Sequence, residues 1–129
     1  MRLLLDSHIL LAITRGQAAS LGRAIVSLLD TRDHKKIVSV ASLWEVAIKH
    51  RLSKLALRMP LHDLPDYFIS LEYSLLDISY QHAIEELIEV PPTRDPFDRL
   101  LLAQCQLEGM RLVTLDRALA AHPLAWREK

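Results

Sequence analysis

Short, unbroken apolar runs alternate along the chain with longer stretches in which apolar residues recur every three or four positions. Leu3-Leu4-Leu5, the core of a run from Arg2 that stops on Asp6, has the pattern of a strand buried on both faces. His8 to Thr14 reads as a helix that Gly16 breaks. The spacing of Leu21, Ile25, Leu28 and Leu29 predicts a second helix over about 19–29 with one apolar stripe. Thr31 to Lys36 is polar and turn-like, and the β-branched run Ile37-Val38-Ser39-Val40 predicts a second buried strand. A helix is expected from Ser42, with Leu43, Val46, Ala47 and Leu52 apolar. Further helices are predicted over Leu64–Leu71 and from Gln81 to about Ile88, on either side of a third strand candidate, 74–78. Pro91-Pro92-Thr93-Arg94 reads as a loop. Pro96 then opens a helix that Gly109 closes, the usual asymmetry of Pro inside the start and Gly past the end. Met110 to Thr114 is a fourth strand candidate, and Asp116 to Ala121 a last short helix.

Strands alternating with helices imply an α/β domain, a parallel sheet of four or five strands with helices on both faces. A length of 129 residues fits one domain over 1–129. Half of the residues are hydrophobic and Gly is scarce, which fits a packed core and excludes disordered and fibrous classes. Sixteen basic residues balance sixteen acidic ones, so a broad basic nucleic-acid footprint is absent and any such contact must use a local patch. The lone Cys105 lies in the apolar run from Leu100 and reads as a buried structural thiol. Asp6 interrupts any signal-peptide core, and no apolar run is long enough to span a bilayer. The expectation is a soluble, cytoplasmic protein without membrane contact.

The candidate chemistry lies in where the acids fall. Asp6 closes the first strand, Glu45 lies a helical turn after the second, Asp98 lies in the first turn of a long helix, and Asp116 follows the last strand. In an open parallel sheet the carboxyl ends of the strands share one edge, where ligands bind, so acids far apart in sequence can converge there. Several carboxylates in one cleft repel one another unless a cation neutralises them. Hard oxygen donors suit Mg²⁺ or Mn²⁺, which keep some waters and are completed by substrate phosphates. Taken singly, each acid is also accounted for as a helix cap or a first-turn acid. Ser42-Leu43-Trp44-Glu45 matches a capping box, and Asp95-Pro96-Phe97-Asp98 a cap followed by Pro and an acid.

Four segments together resemble the successive motifs of PIN-domain proteins, in particular VapC-like toxins of bacterial toxin–antitoxin pairs: Leu3-Leu4-Leu5-Asp6-Ser7-His8, the stretch Ala41 to Lys49, Arg94-Asp95-Pro96-Phe97-Asp98-Arg99, and Leu112-Val113-Thr114-Leu115-Asp116. The resemblance implies a Mg²⁺- or Mn²⁺-dependent endoribonuclease whose four metal-holding acids fall on Asp6, Glu45, Asp98 and Asp116. It also implies RNA as substrate, inhibition by a small antitoxin protein, and a homodimer. The position before Arg94 is often His in such proteins and is Thr93 here, which removes an imidazole and leaves the acids intact.

Around the four acids stand supporting candidates. Asp95 lies on the same helical face as Asp98, or serves only as a cap. Ser7 and Thr114 could orient carboxylates, or make ordinary turn hydrogen bonds. Arg94 and Arg99 are candidates for a phosphate contact or for balancing the cleft's charge. Lys49, Arg51, Lys54 and Arg58 form a basic cluster, read as a solvated helix face or an RNA guide. Trp44 and Phe97 read as core packing rather than base-stacking platforms, and His8 as a surface side chain close to the cleft. The apolar stripe at Leu21, Ile25, Leu28 and Leu29 reads as surplus to one sheet and supports a dimer. Two other functions compete: a catalytically inactive PIN-fold interaction module, and a phospho-accepting receiver domain. The receiver is disfavoured because Asp77 lies inside its strand candidate and the required lysine is missing.

Overall fold

The run Leu3-Leu4-Leu5 is completely buried because it lies in one of the two inner strands of a parallel sheet. The computed structural model describes residues 1–128. β1 (Arg2–Leu5) pairs with β2 (Lys35–Ser39) on one side and β4 (Arg111–Val113) on the other, and β2 pairs with β3 (Ser74–Leu76). The order is β3-β2-β1-β4. Leu4 stands opposite Ile37 and Leu112. Side chains alternate across a strand, so Leu3, Leu5, Val38 and Val113 enter one core cluster while Leu4, Ile37 and Leu112 enter another. The first cluster is completed by helices α1 (Ser7–Thr14), α2 (Arg23–Asp30), α3 (Val40–Arg51) and α4 (Leu64–Ser70). The second is completed chiefly by α6 (Pro96–Glu108), through Leu101, Leu102 and Cys105, and by Leu119 of α7 (Arg117–Ala120). Burial pushes the Cys105 thiol up to about 12, so it is an inert core group. No helix among the described residues is long and apolar enough to cross a membrane.

Four local expectations change. The helix expected over 19–29 begins at Arg23: Gly22 sits at φ 93°, ψ 155°, where a helix cannot pass, and Ala18–Leu21 forms a 3-10 turn instead. Its stripe is not surplus, since Leu21, Ile25 and Leu28 are buried in this chain's own first cluster, which removes the sequence argument for a dimer there. The helix expected to reach Ile88 is the short α5 (Tyr80–Ile84). Gln106 captures the chain beyond it, donating to the Glu86 carbonyl and accepting from the Ile88 amide, so bonds to α6 replace helical ones. Finally, Ser42 and Glu45 form no capping box. The cap of α3 is Ser39, whose hydroxyl accepts from the Ala41 amide.

The chain runs outward from β1 through β2 to β3 and then crosses back to place β4 on the other flank of β1. The strand order thus reverses between β1 and β4. A crevice opens outside the carboxyl ends of strands at such a switch point, and Asp6 and Thr114 leave the sheet there.

Candidate active site

Asp6 occupies the N-cap position of α1 with extended backbone, φ −64° and ψ 155°, yet its side chain makes no cap hydrogen bond. It is only 4% exposed. Thr114 Oγ1 donates to its Oδ2 at 2.6 Å and accepts from the Asp116 amide at 3.1 Å, tying the ends of β1 and β4 together. Glu45 is also buried, at 8% exposed, because it lies on the inner face of α3. Ser7 Oγ donates to its Oε1 at 2.5 Å, and Lys49 Nζ stands 3.3 Å from its Oε2. A buried carboxylate is costly unless hydrogen-bonded or paired; a hydroxyl meets this need at Asp6, and a hydroxyl and an ammonium meet it at Glu45.

Asp98 differs. Among the described residues its carboxylate has no side-chain hydrogen bond or ion pair, although it lies half-buried in the first turn of α6. Burial pushes it up to about 7, and the charges of Asp95, Asp6, Glu45 and Asp116 add to the effect in that order. Asp98 therefore feels acids from the start of its own helix, from the end of β1, from α3 and from the N-cap of α7. Two of the acids do cap helices. Asp95 Oδ1 accepts from the Phe97 amide at 2.8 Å, and Asp116 Oδ1 from the Leu119 amide at 3.0 Å.

As the side chains stand, no three His, Cys, Asp or Glu groups among the described residues converge closely enough to hold a metal ion. The donor chemistry fits a hard divalent cation: every acid is an oxygen donor, and the uncompensated repulsion at Asp98 is what such a cation would relieve. Ser42, one helical turn before Glu45 on α3, adds a buried hydroxyl with no partner among the described residues.

The remaining candidates fall as follows. Arg94 and Arg99 are exposed and line one groove with Pro91, Pro92 and Thr93. Neither forms an ion pair with an acid among the described residues, so the charge balance expected of them comes from Lys49. The Glu–Lys spacing of four on a helix was the available signal for that pair. His8 is exposed, with Nδ1 4.0 Å from Asp6 Oδ1. Trp44 is not core: it is 53% exposed and meets Phe97 edge-on, with ring centroids 5.4 Å apart.

No curated protein matches the sequence. Among solved structures the chain is similar to the crystal structure of VapBC2 from Rickettsia felis bound to a DNA fragment from their promoter. The TM-score is 0.62 at 17% identity, over 97% of this chain and 96% of that one, a likeness of fold. The family model described as PIN domain matches residues 3–123, a span that takes in the four strands save Arg2 of β1 and every acid of the switch-point crevice, and the chain therefore belongs to the PIN domain family.

Proposed function

We propose that the protein is a metal-dependent endoribonuclease that hydrolyses RNA phosphodiester bonds, and that it is the toxin of a toxin–antitoxin pair. The observation that carries this reading is Asp98, a half-buried carboxylate with no side-chain partner among the described residues, pushed up to about 7 by burial and then by the charges of neighbouring Asp95 and of Asp6, Glu45 and Asp116 from other elements. A fold has little reason to keep such repulsion for stability alone.

In this reading Asp6, Glu45, Asp98 and Asp116 hold Mg²⁺ or Mn²⁺. When bound, the ion supplies positive charge that acidifies a water and stabilises charge developing on the phosphoryl oxygens. The chain's own groups do the positioning. Thr114 and Ser7 hold Asp6 and Glu45 in fixed orientation through the hydrogen bonds described. Lys49 neutralises part of the Glu45 charge at rest. Asp95 supports by anchoring the start of α6, and exposed Arg94 and Arg99 are available to RNA phosphates.

An antitoxin partner is supported by the resemblance of motifs and by the similar fold in VapBC2, a protein solved with promoter DNA. The same reading places the protein in the cytoplasm. It also includes a homodimer, for which Tyr80, Ile84, Ile88 and Val90 supply exposed apolar surface. The inactive interaction module is the second reading, favoured by the caps at Asp95 and Asp116 and by the absence of a tight acid cluster among the described residues.

Cleavage of single-stranded RNA by the purified protein separates them. Cleavage is expected with Mg²⁺ or Mn²⁺ and is expected to stop on adding EDTA; equal activity in excess EDTA removes the mechanism, and no cleavage with either ion favours the module. Co-expression with the protein encoded immediately upstream should give an inactive complex. A monomer at high concentration, with a neighbour that neither binds nor inhibits, would remove the toxin assignment.

A further inference from the structure

A half-exposed tryptophan beside a buried acid needs an explanation that packing does not give. Neither Trp44 nor Phe97 belongs to either core cluster, whereas the other tryptophan, Trp126, packs against the first. Trp44 precedes Glu45 on α3 and Phe97 precedes Asp98 on α6, so the ring pair bridges the two helices that carry these acids. The interplanar angle is 73°. An edge-to-face contact fixes the orientation of a ring while using only part of its surface. The groove alongside is lined by Phe97, Ile48 and Pro96 together with Glu45, Lys49 and Asp95.

We propose that the exposed indole of Trp44, held in place by Phe97, is a stacking platform for an unpaired nucleobase next to the phosphate being cleaved. This rests on the nuclease reading above. Any nucleotide adjoining a phosphate at the acids must lie against a wall of the crevice, and the α3–α6 wall offers an aromatic face. Single strands are commonly held by such faces, because every base has a π surface and stacking tolerates any sequence. The surroundings favour a base over an apolar protein segment. The pair's chain neighbours and groove partners include the part-exposed Lys49, Asp95 and Asp98, which an apolar segment would leave without water. A stacked base keeps its sugar–phosphate chain in solvent, within reach of the Lys49 side of the groove.

The test compares wild type with Trp44→Leu and Trp44→Phe. The probes are an uncleavable 2′-O-methyl single strand of mixed sequence and the same strand made abasic throughout, both titrated in Mg²⁺. Trp44→Leu is expected to weaken binding of the intact strand about tenfold and to leave the abasic strand's affinity where it was. On cleavable RNA it should raise KM more than it lowers kcat. Trp44→Phe, which retains a ring and serves as the working variant should the leucine protein fail to fold, should recover most of the affinity. Equal losses on both strands, or no loss on either, overturn the platform. So does an unchanged intact-strand affinity accompanied by lost binding of the upstream-encoded protein, which would assign the surface to that partner. Failure of the nuclease reading shows separately, as a wild-type protein that prefers the intact strand to the abasic one and cuts no RNA.

Discussion

Asp6 and Asp116 occupy equivalent places, each the N-cap of the helix that follows a strand, and they do different work. Asp116 is exposed and uses Oδ1 to cap α7. Asp6 is buried, leaves the amides of α1 uncapped and takes its hydrogen bond from Thr114 on another strand. The same division separates Asp95, a cap, from Asp98 three residues on, which caps nothing and carries the repulsion of its neighbours. A carboxylate that satisfies a local amide is explained by its helix. One that is buried, uncapped and oriented from a distance is not explained by its helix.

Substitutions that keep shape and remove charge test this division hardest. Asp6→Asn should reduce RNA cleavage below detection while the protein stays folded, since no cap is lost and acid–acid repulsion falls. Circular dichroism beside the cleavage assay checks both halves; an unfolded variant that cuts normally once refolded would return Asp6 to the caps. Asp98→Asn should behave likewise.

Removing the orienting hydroxyls should cost less. Ser7→Ala and Thr114→Val are each expected to lower Mn²⁺ affinity or activity about 10–100-fold, the usual effect of groups that position metal ligands. Unchanged titrations would reduce both contacts to turn chemistry.

The Asp98 carboxyl makes stability depend on pH in a direction opposite to that of a paired acid. It binds its proton more tightly in the folded chain, up to about pH 7, than in the unfolded chain, so its contribution to stability is lost as pH rises from about 4 to about 7. In EDTA the melting temperature should be higher at pH 5 than at pH 8, and Asp98→Asn should flatten that difference. Saturating Mn²⁺ should raise the value at pH 8 most. A wild-type melting temperature that climbs across this window, with Asp98→Asn indistinguishable from it, would remove the repulsion at Asp98.

The smallest effects belong to the caps. Asp116→Ala should cost about 1 kcal/mol of stability, whereas Asp116→Asn should be close to neutral because Asn caps as well as Asp. If Asp116 also serves the cation, the Asn variant loses activity at unchanged stability, and the pair of variants separates the two roles. Asp95→Asn should be milder in activity than Asp6→Asn; complete loss would place Asp95 among the ion's direct partners.

Much of the architecture was legible along the chain because its signals are local. Leu3-Leu4-Leu5 and Ile37-Val38 can bury on both sides only as inner strands, and Pro96 and Gly109 bound α6 through their own backbone preferences. Alternation of strand and helix then implied a parallel sheet, and with it an edge at which Asp6, Glu45, Asp98 and Asp116 could meet. Tertiary structure decided what each side chain does there. The partner of Asp6 is a threonine 108 positions away, and that of Glu45 a serine 38 positions away. Gln106 stops the helix expected to reach Ile88, and the packing of α3 against α6 leaves Trp44 half in solvent. Capping and periodicity act over a few residues and can be read in order. Whether a carboxylate caps its own helix or faces the crevice depends on which distant hydroxyls and charges the fold brings beside it.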